Sequence, residues 1–183
     1  GSTGYIVNSG SNQVQIIDLV TGQTPGAIEI YLGQNPYSMA LDGNQKAYVT
    51  NELTGNVSRL DLITNLEDTA VSAGVSPEGV CVYQNKLYVT DTNNSGPPNY
   101  TFGQGRVWVY SLPSLSFDDT IHVALNPQTV KPGPDGMIHV VCTGDYNAIS
   151  GQVQIINPAT LTVVDSLDIG GTPGSLAFNS QNI

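Results

Sequence analysis

Apolar and polar positions alternate along this chain in short runs of strand length, and the same succession of runs is written four times. Each copy opens on a Pro-led segment, at Asn35-Pro36, Ser76-Pro77, Asn126-Pro127 and Thr172-Pro173, with spacings of 41, 50 and 46 residues between the prolines. A second run follows as Tyr5-Ile6-Val7-Asn8, Tyr48-Val49-Thr50-Asn51, Tyr88-Val89-Thr90-Asp91 and His139-Val140-Val141-Cys142. The third run is Val14 to Asp18, Val57 to Asp61, Val107 to Ser111 and Val153 to Asn157. A weaker fourth lies at Ala27 to Ile30, Leu66 to Ala70, Phe117 to Ile121 and Thr162 to Ile169. Period-two alternation in runs this short predicts strands, and no stretch keeps a helical period. Four strands per copy at this repeat length are the pattern of a β-propeller blade.

The punctuation between the runs agrees. Asp18, Asp61, Ser111 and Asn157 each stand three positions before a Thr or Ser, an arrangement in which short oxygen-bearing side chains bond to nearby backbone N–H groups and close a tight turn. Asp42-Gly43-Asn44, Gln84-Asn85-Lys86 and Pro134-Asp135-Gly136 join first to second strands with residues that tolerate positive φ. The chain therefore reads as a single all-β domain over 1–183, with blade cores at about 4–30, 36–70, 77–121 and 127–169. Residues 173–178 form the first strand of a shared or next blade. Joining the two ends would complete one blade and hide edges that otherwise invite pairing. Three arrangements fit this offset: a closed four-bladed ring, a half-ring completed by a second copy as a homodimer, and a piece of a larger propeller.

Ala47-Tyr48-Val49-Thr50-Asn51, followed by Gly55-Asn56-Val57-Ser58 and Leu60-Asp61, resembles the YVTN β-propeller repeat of bacterial and archaeal surface-layer and exported proteins. The similarity covers essentially the whole chain, and copies one and two match best. Copy three inserts a long loop, and copy four replaces Tyr with His139. The resemblance implies a propeller in an extracytoplasmic place, at the periplasm or cell surface. It also implies a commonly seven-bladed ring, which at this period needs roughly 300 residues or more. It names no reaction.

Charge narrows the partners. Five basic residues stand against 15 acidic ones, a formal charge of −10, and Arg59 and Arg106 are the only arginines. Nucleic-acid binding draws most of its affinity from clustered Lys and Arg, so no nucleic-acid partner is expected. No apolar run reaches the length of a membrane-spanning helix, so no membrane insertion is expected either. Cys81 and Cys142 lie in apolar strands and read as two buried thiols rather than a disulfide.

Candidate chemistry gathers in the loops. Fourth-to-first and second-to-third connections fall on one face, where copies three and four are enlarged, and loops on a rigid scaffold commonly carry binding. In the insertion 91–105, Asp91 and Asn93 offer oxygen donors, while Tyr100 and Phe102 offer flat apolar surfaces. The Asp-x-Asn start lacks the later Gly and Glu of a calcium loop, so no metal is assigned. Asp145 and Tyr146 join an acid to an aromatic in the copy-four loop, a pairing suited to carbohydrate or a basic peptide. Tyr37 and Glu78 follow their leading prolines and are expected to line a central opening. The expected partner is thus a protein or carbohydrate ligand on the loop-rich face, with no cofactor and no catalytic residue. The alternatives are a lactonase-like hydrolase using His122 or Glu78, and a structural spacer. HExxH, GxSxG and CxxC patterns are all missing.

Overall fold

In the computed structural model, which describes residues 2–179, the strands form four antiparallel sheets in chain order. The first holds β1 (Thr3–Asn8), β2 (Gln13–Asp18) and β3 (Gly26–Glu29). The second holds β4 (Pro36–Leu41), β5 (Lys46–Asn51), β6 (Asn56–Asp61) and β7 (Leu66–Ser72). The third runs from β8 (Pro77–Tyr83) and β9 (Lys86–Asp91) to β10 (Gly105–Ser111) and β11 (Ser116–Val123). The fourth comprises β12 (Pro127–Pro132), β13 (Ile138–Cys142), β14 (Gln152–Asn157) and β15 (Thr162–Asp168). Each sheet is a meander of sequential neighbours, and the all-β architecture of four propeller-type blades expected from the repeat is what the chain forms.

The sheets stack through three apolar cores, one between each neighbouring pair. Val14 and Ile28 of the first blade meet Ala47, Val49 and Leu60 of the second. Tyr48 and Val57 meet Val80, Leu87 and Val89 of the third. Tyr88, Val107 and Cys81 meet Val130, Ile138 and Val140 of the fourth. Tyr48 and Val49 thus feed different cores from opposite sides of one strand, which is why β5 and β9 are buried on both faces and lose the apolar–polar alternation of a one-sided sheet. Each fully buried Val or Leu in these layers contributes about 1.5–3 kcal/mol. Both cysteines are free and buried, and burial pushes each thiol up to about 12.

The turn chemistry follows the sequence. Asp18 Oδ1 accepts from the Val20 and Thr21 amides, Asp61 Oδ1 from Ile63 and Thr64, and Asn157 Oδ1 from Ala159. Gly43, Gln84, Asn85 and Gly136 take positive φ in the hairpins between first and second strands.

The innermost strands β4, β8 and β12 pack side by side. Residues 173–178 run beside β12 without being assigned to a strand. Thr129 Oγ1 donates to the Gly174 carbonyl, Lys131 Nζ to that of Leu176, and Thr143 Oγ1 to that of Pro173. His139 sits 9% exposed, hydrogen-bonded to Asp135, with its ring edge-on to Phe178 at 4.9 Å. Among the described residues β1 pairs only with β2, and the join suggested through 180–182 lies outside them. No helix among the described residues is long and apolar enough to cross a membrane.

Candidate functional site

Each complete blade carries the same irregularity in its innermost strand. Pro36 pairs with Asn51 but Met39 with Val49, Pro77 with Asp91 but Val80 with Val89, and Pro127 with Cys142 but Thr129 with Val141. One extra residue is accommodated after each leading proline, a β-bulge of the kind that re-aims side chains. In two blades the Thr of the Tyr-Val-Thr run repairs the broken ladder. Thr50 Oγ1 accepts from Ser38 N at 3.0 Å and donates to the Glu78 carbonyl at 2.6 Å, and Thr90 Oγ1 accepts from Gly79 N at 2.7 Å. The bulges place Tyr37, Glu78 and Gln128 at equivalent points of three adjacent inner strands. Tyr37 and Gln128 line the end of a groove of about 320 Å³ walled by β4, β8 and β12.

Loops of the loop-rich face border these three positions. Their layout is held by backbone bonds that repeat in every complete blade, Glu52 N to Asn35 O, Thr92 N to Ser76 O and Thr143 N to Asn126 O. Tyr146 reaches in from the copy-four loop, its hydroxyl accepting from Gln128 Nε2 at 2.8 Å. Phe102, from the copy-three insertion, lies against Tyr146 with ring centroids 6.0 Å apart. Tyr37 keeps 48% of its surface exposed and approaches Glu78, a residue 6% exposed. Glu78 Oε2 is buried and meets no hydrogen-bond donor. Burial, followed by the nearby Glu52 charge, pushes the Glu78 carboxyl up to about 7, against the opposing effect of the Tyr37 hydroxyl. Burial and then the Glu78 and Glu52 charges raise the Tyr37 phenol. Tyr37, Glu78, Phe102 and Tyr146, all expected from the sequence, are therefore one cluster contributed by three blades.

The other expected residues are placed differently. Asp91 is fully buried, and its Oδ1 accepts from the Val75, Ser76 and Asn93 amides while Oδ2 faces Trp108 Nε1 and Arg106. Asn93 anchors the insertion, its side-chain amide donating to the Gln104 carbonyl and its own carbonyl accepting from Gly103 N. Asp145 Oδ1 accepts from the Asn147 and Ile149 amides, and those bonds hold its carboxyl below the usual range. Asp91 Oδ1, the Asn93 side-chain amide and Asp145 Oδ1 thus shape loops. Tyr100, 60% exposed, lines a separate cleft of about 530 Å³ beside Asn35, Glu52, Leu53, Asn94 and Pro97. Glu52 faces both this cleft and the axial cluster.

Sequence reasoning missed Gln128 and Glu52. Gln128 follows Pro127 as Tyr37 follows Pro36, so its register was a usable signal. Glu52 begins a short hairpin loop that nothing in the pattern distinguishes. Among the described residues no group of three or more His, Cys, Asp or Glu side chains could hold a metal ion.

No known family model matches the chain, and no curated protein does. Among solved structures it is similar to a hydrazine synthase from Kuenenia stuttgartiensis, at 22% identity and a TM-score of 0.80 over 93% of this chain and 47% of that one. It is also similar to a protein of unknown function from Bacteroides caccae, at 13% identity and a TM-score of 0.68 over 96% of this chain and 61% of the other. The chain spans about half the length of the first and three-fifths of the second. At these identities the likeness is one of fold, and what it establishes is a multi-sheet all-β architecture of the propeller type.

Proposed function

We propose that this chain is a non-enzymatic binding propeller that captures its ligand where the axis meets the loop-rich face. The observation that supports this reading is the convergence of Tyr37, Glu78 and Tyr146 from three blades around a buried carboxylate oxygen without a donor. Most buried polar atoms in folded proteins are paired, and an unpaired one calls for a partner such as a water, an ion or a ligand; of the several such atoms in this chain, Glu78 Oε2 is the one beside half-exposed aromatic rings. Two half-exposed phenols and Phe102 supply flat surface on rigid supports, with Tyr100 extending the contact into the neighbouring cleft. The ligand class is a cell-surface polymer, a protein or a small molecule, and the resemblance to exported YVTN-repeat proteins favours an extracytoplasmic setting.

A panel of oligosaccharides and peptides tests the reading. Tyr37→Ala and Tyr146→Ala should each weaken the best binder at least tenfold while lowering Tm by no more than a few degrees, because both rings are about half exposed. If no panel member binds, or if the substitutions change Tm alone, the reading fails.

Hydrolysis of a lactone is the second reading, favoured only by the base-like titration of Glu78. His122 stands on β11 and Glu78 on β8, at opposite edges of a four-stranded sheet. Three inter-strand spacings, about 14 Å, separate the two, so either would act without the other. Turnover of any lactone above the buffer rate would reinstate this reading.

A further inference from the structure

The chemistry of the axial cluster narrows the ligand beyond the binding reading, on which this step rests. We infer that the site takes an organic ammonium group, seated between the Tyr37 ring and the Glu78 and Glu52 carboxylates. Glu78 Oε2 is the buried acceptor that lacks a donor, and an ammonium brings three. Glu52 already accepts from Asn35 Nδ2 at 2.7 Å through one oxygen, and its charge is felt at both Glu78 and Tyr37. Two carboxylates in one place repel each other, and a cation between them removes that repulsion. An anion would meet the same charges unfavourably. Tyr37 and Tyr146, each about half exposed, are aromatic rings of the kind on whose negative faces alkylammonium groups rest. A hard metal ion is a poorer match, since it seeks six or more oxygen ligands, and aromatic surface supplies none.

The surroundings favour the same sign. A formal charge of −10 attracts cations over the whole molecule. The cation closest along the groove, Lys131, is committed to the Leu176 carbonyl further down β12. The titratable side chains acting on Glu78 are Tyr37 from β4, Glu52 from the β5–β6 loop and, through Tyr37, Tyr146 from the β13–β14 loop.

Calorimetry with butylammonium, its uncharged counterpart butanol, and a short lysine-containing peptide provides the test. The two ammonium probes distinguish a free amine from a lysine side chain as the source. Butylammonium or the peptide should bind and butanol should not. Affinity should rise about tenfold from pH 6 to pH 8 as Glu78 loses its proton, with about half a proton released per ligand at pH 7. Glu78→Gln should abolish both the rise and the proton release and weaken binding at least tenfold. If that variant fails to fold, proton release from the unaltered chain and weakened binding by Tyr37→Ala carry the test. Equal binding of butanol, affinity that is flat or falling with pH, or no ammonium binding overturns the inference. Capture of a neutral saccharide with affinity untouched by Glu78→Gln overturns it too, yet leaves the binding reading intact. Failure of every probe and of the wider panel removes both.

Discussion

Glu78→Gln should make the protein more stable at neutral and higher pH, an unusual outcome for a change at a buried position. The Glu78 carboxyl is pushed up from 4.5 to about 7, chiefly by burial, so the folded state holds this proton more tightly than the unfolded one. Its contribution is therefore most favourable below about pH 4.5, is lost as pH rises through about 7, and is level above that. The difference between the two plateaus is about 3 kcal/mol, at roughly 1.4 kcal/mol for each unit of pKa. Glutamine has the same shape and never ionises, but its amide brings a buried N–H whose lack of an acceptor costs about 1 kcal/mol. The variant should gain about 2 kcal/mol at pH 8, lose about 1 below about pH 4, and cross the parent near about pH 5. For a chain of this size the gain at pH 8 corresponds to about 5 °C in Tm. Trp108, the single tryptophan, reports urea unfolding by fluorescence, and subtracting variant from parent cancels every other titrating group. Identical pH profiles for the two proteins, or a variant less stable at pH 8, would refute the reasoning.

Other substitutions test the scaffold around the site. Asp91→Ala removes a carboxylate that serves three backbone amides, and should cost about 3 kcal/mol and open the 92–104 insertion to limited proteolysis. Gly79→Ala would set a Cβ 2.7 Å from the Gln128 carbonyl oxygen and should cost about 2 kcal/mol or more in chemical denaturation. Gly26→Ala, with open space around the added carbon, should stay within about 0.5 kcal/mol in the same assay. Thr90→Val deprives the buried Gly79 amide of its acceptor and should cost about 1–3 kcal/mol, visible as faster hydrogen exchange at Gly79.

The repeat made the blades legible because a strand meander depends on local pattern and turn residues, and both recur in every copy. The position after each leading proline was readable for Tyr37 and Glu78. Its cause, a bulge patched by Thr50 or Thr90, involves pairing across strands that no single run displays. Asp91 and Asp145 show where a sequence misleads about polar atoms. Asp91-Thr92-Asn93 and Asp145-Tyr146-Asn147 share the Asp-x-Asn spacing of an Asx turn, and in both the carboxylate turns back onto the amide two residues on. The contact of Phe102 with Tyr146 joins two loops from different copies, which only the stacking of blades brings together.

The account turns on one buried carboxyl, Glu78, with one oxygen that has no donor in the free protein. Selective 13C labelling of Glu78 followed by NMR titration from pH 4 to pH 9, with and without butylammonium, tests it most directly. The account predicts an apparent pKa near 7 in the free protein, falling by about one unit or more when the ammonium is present. A carboxyl that titrates in the ordinary range for glutamate and is unmoved by the ligand would contradict it.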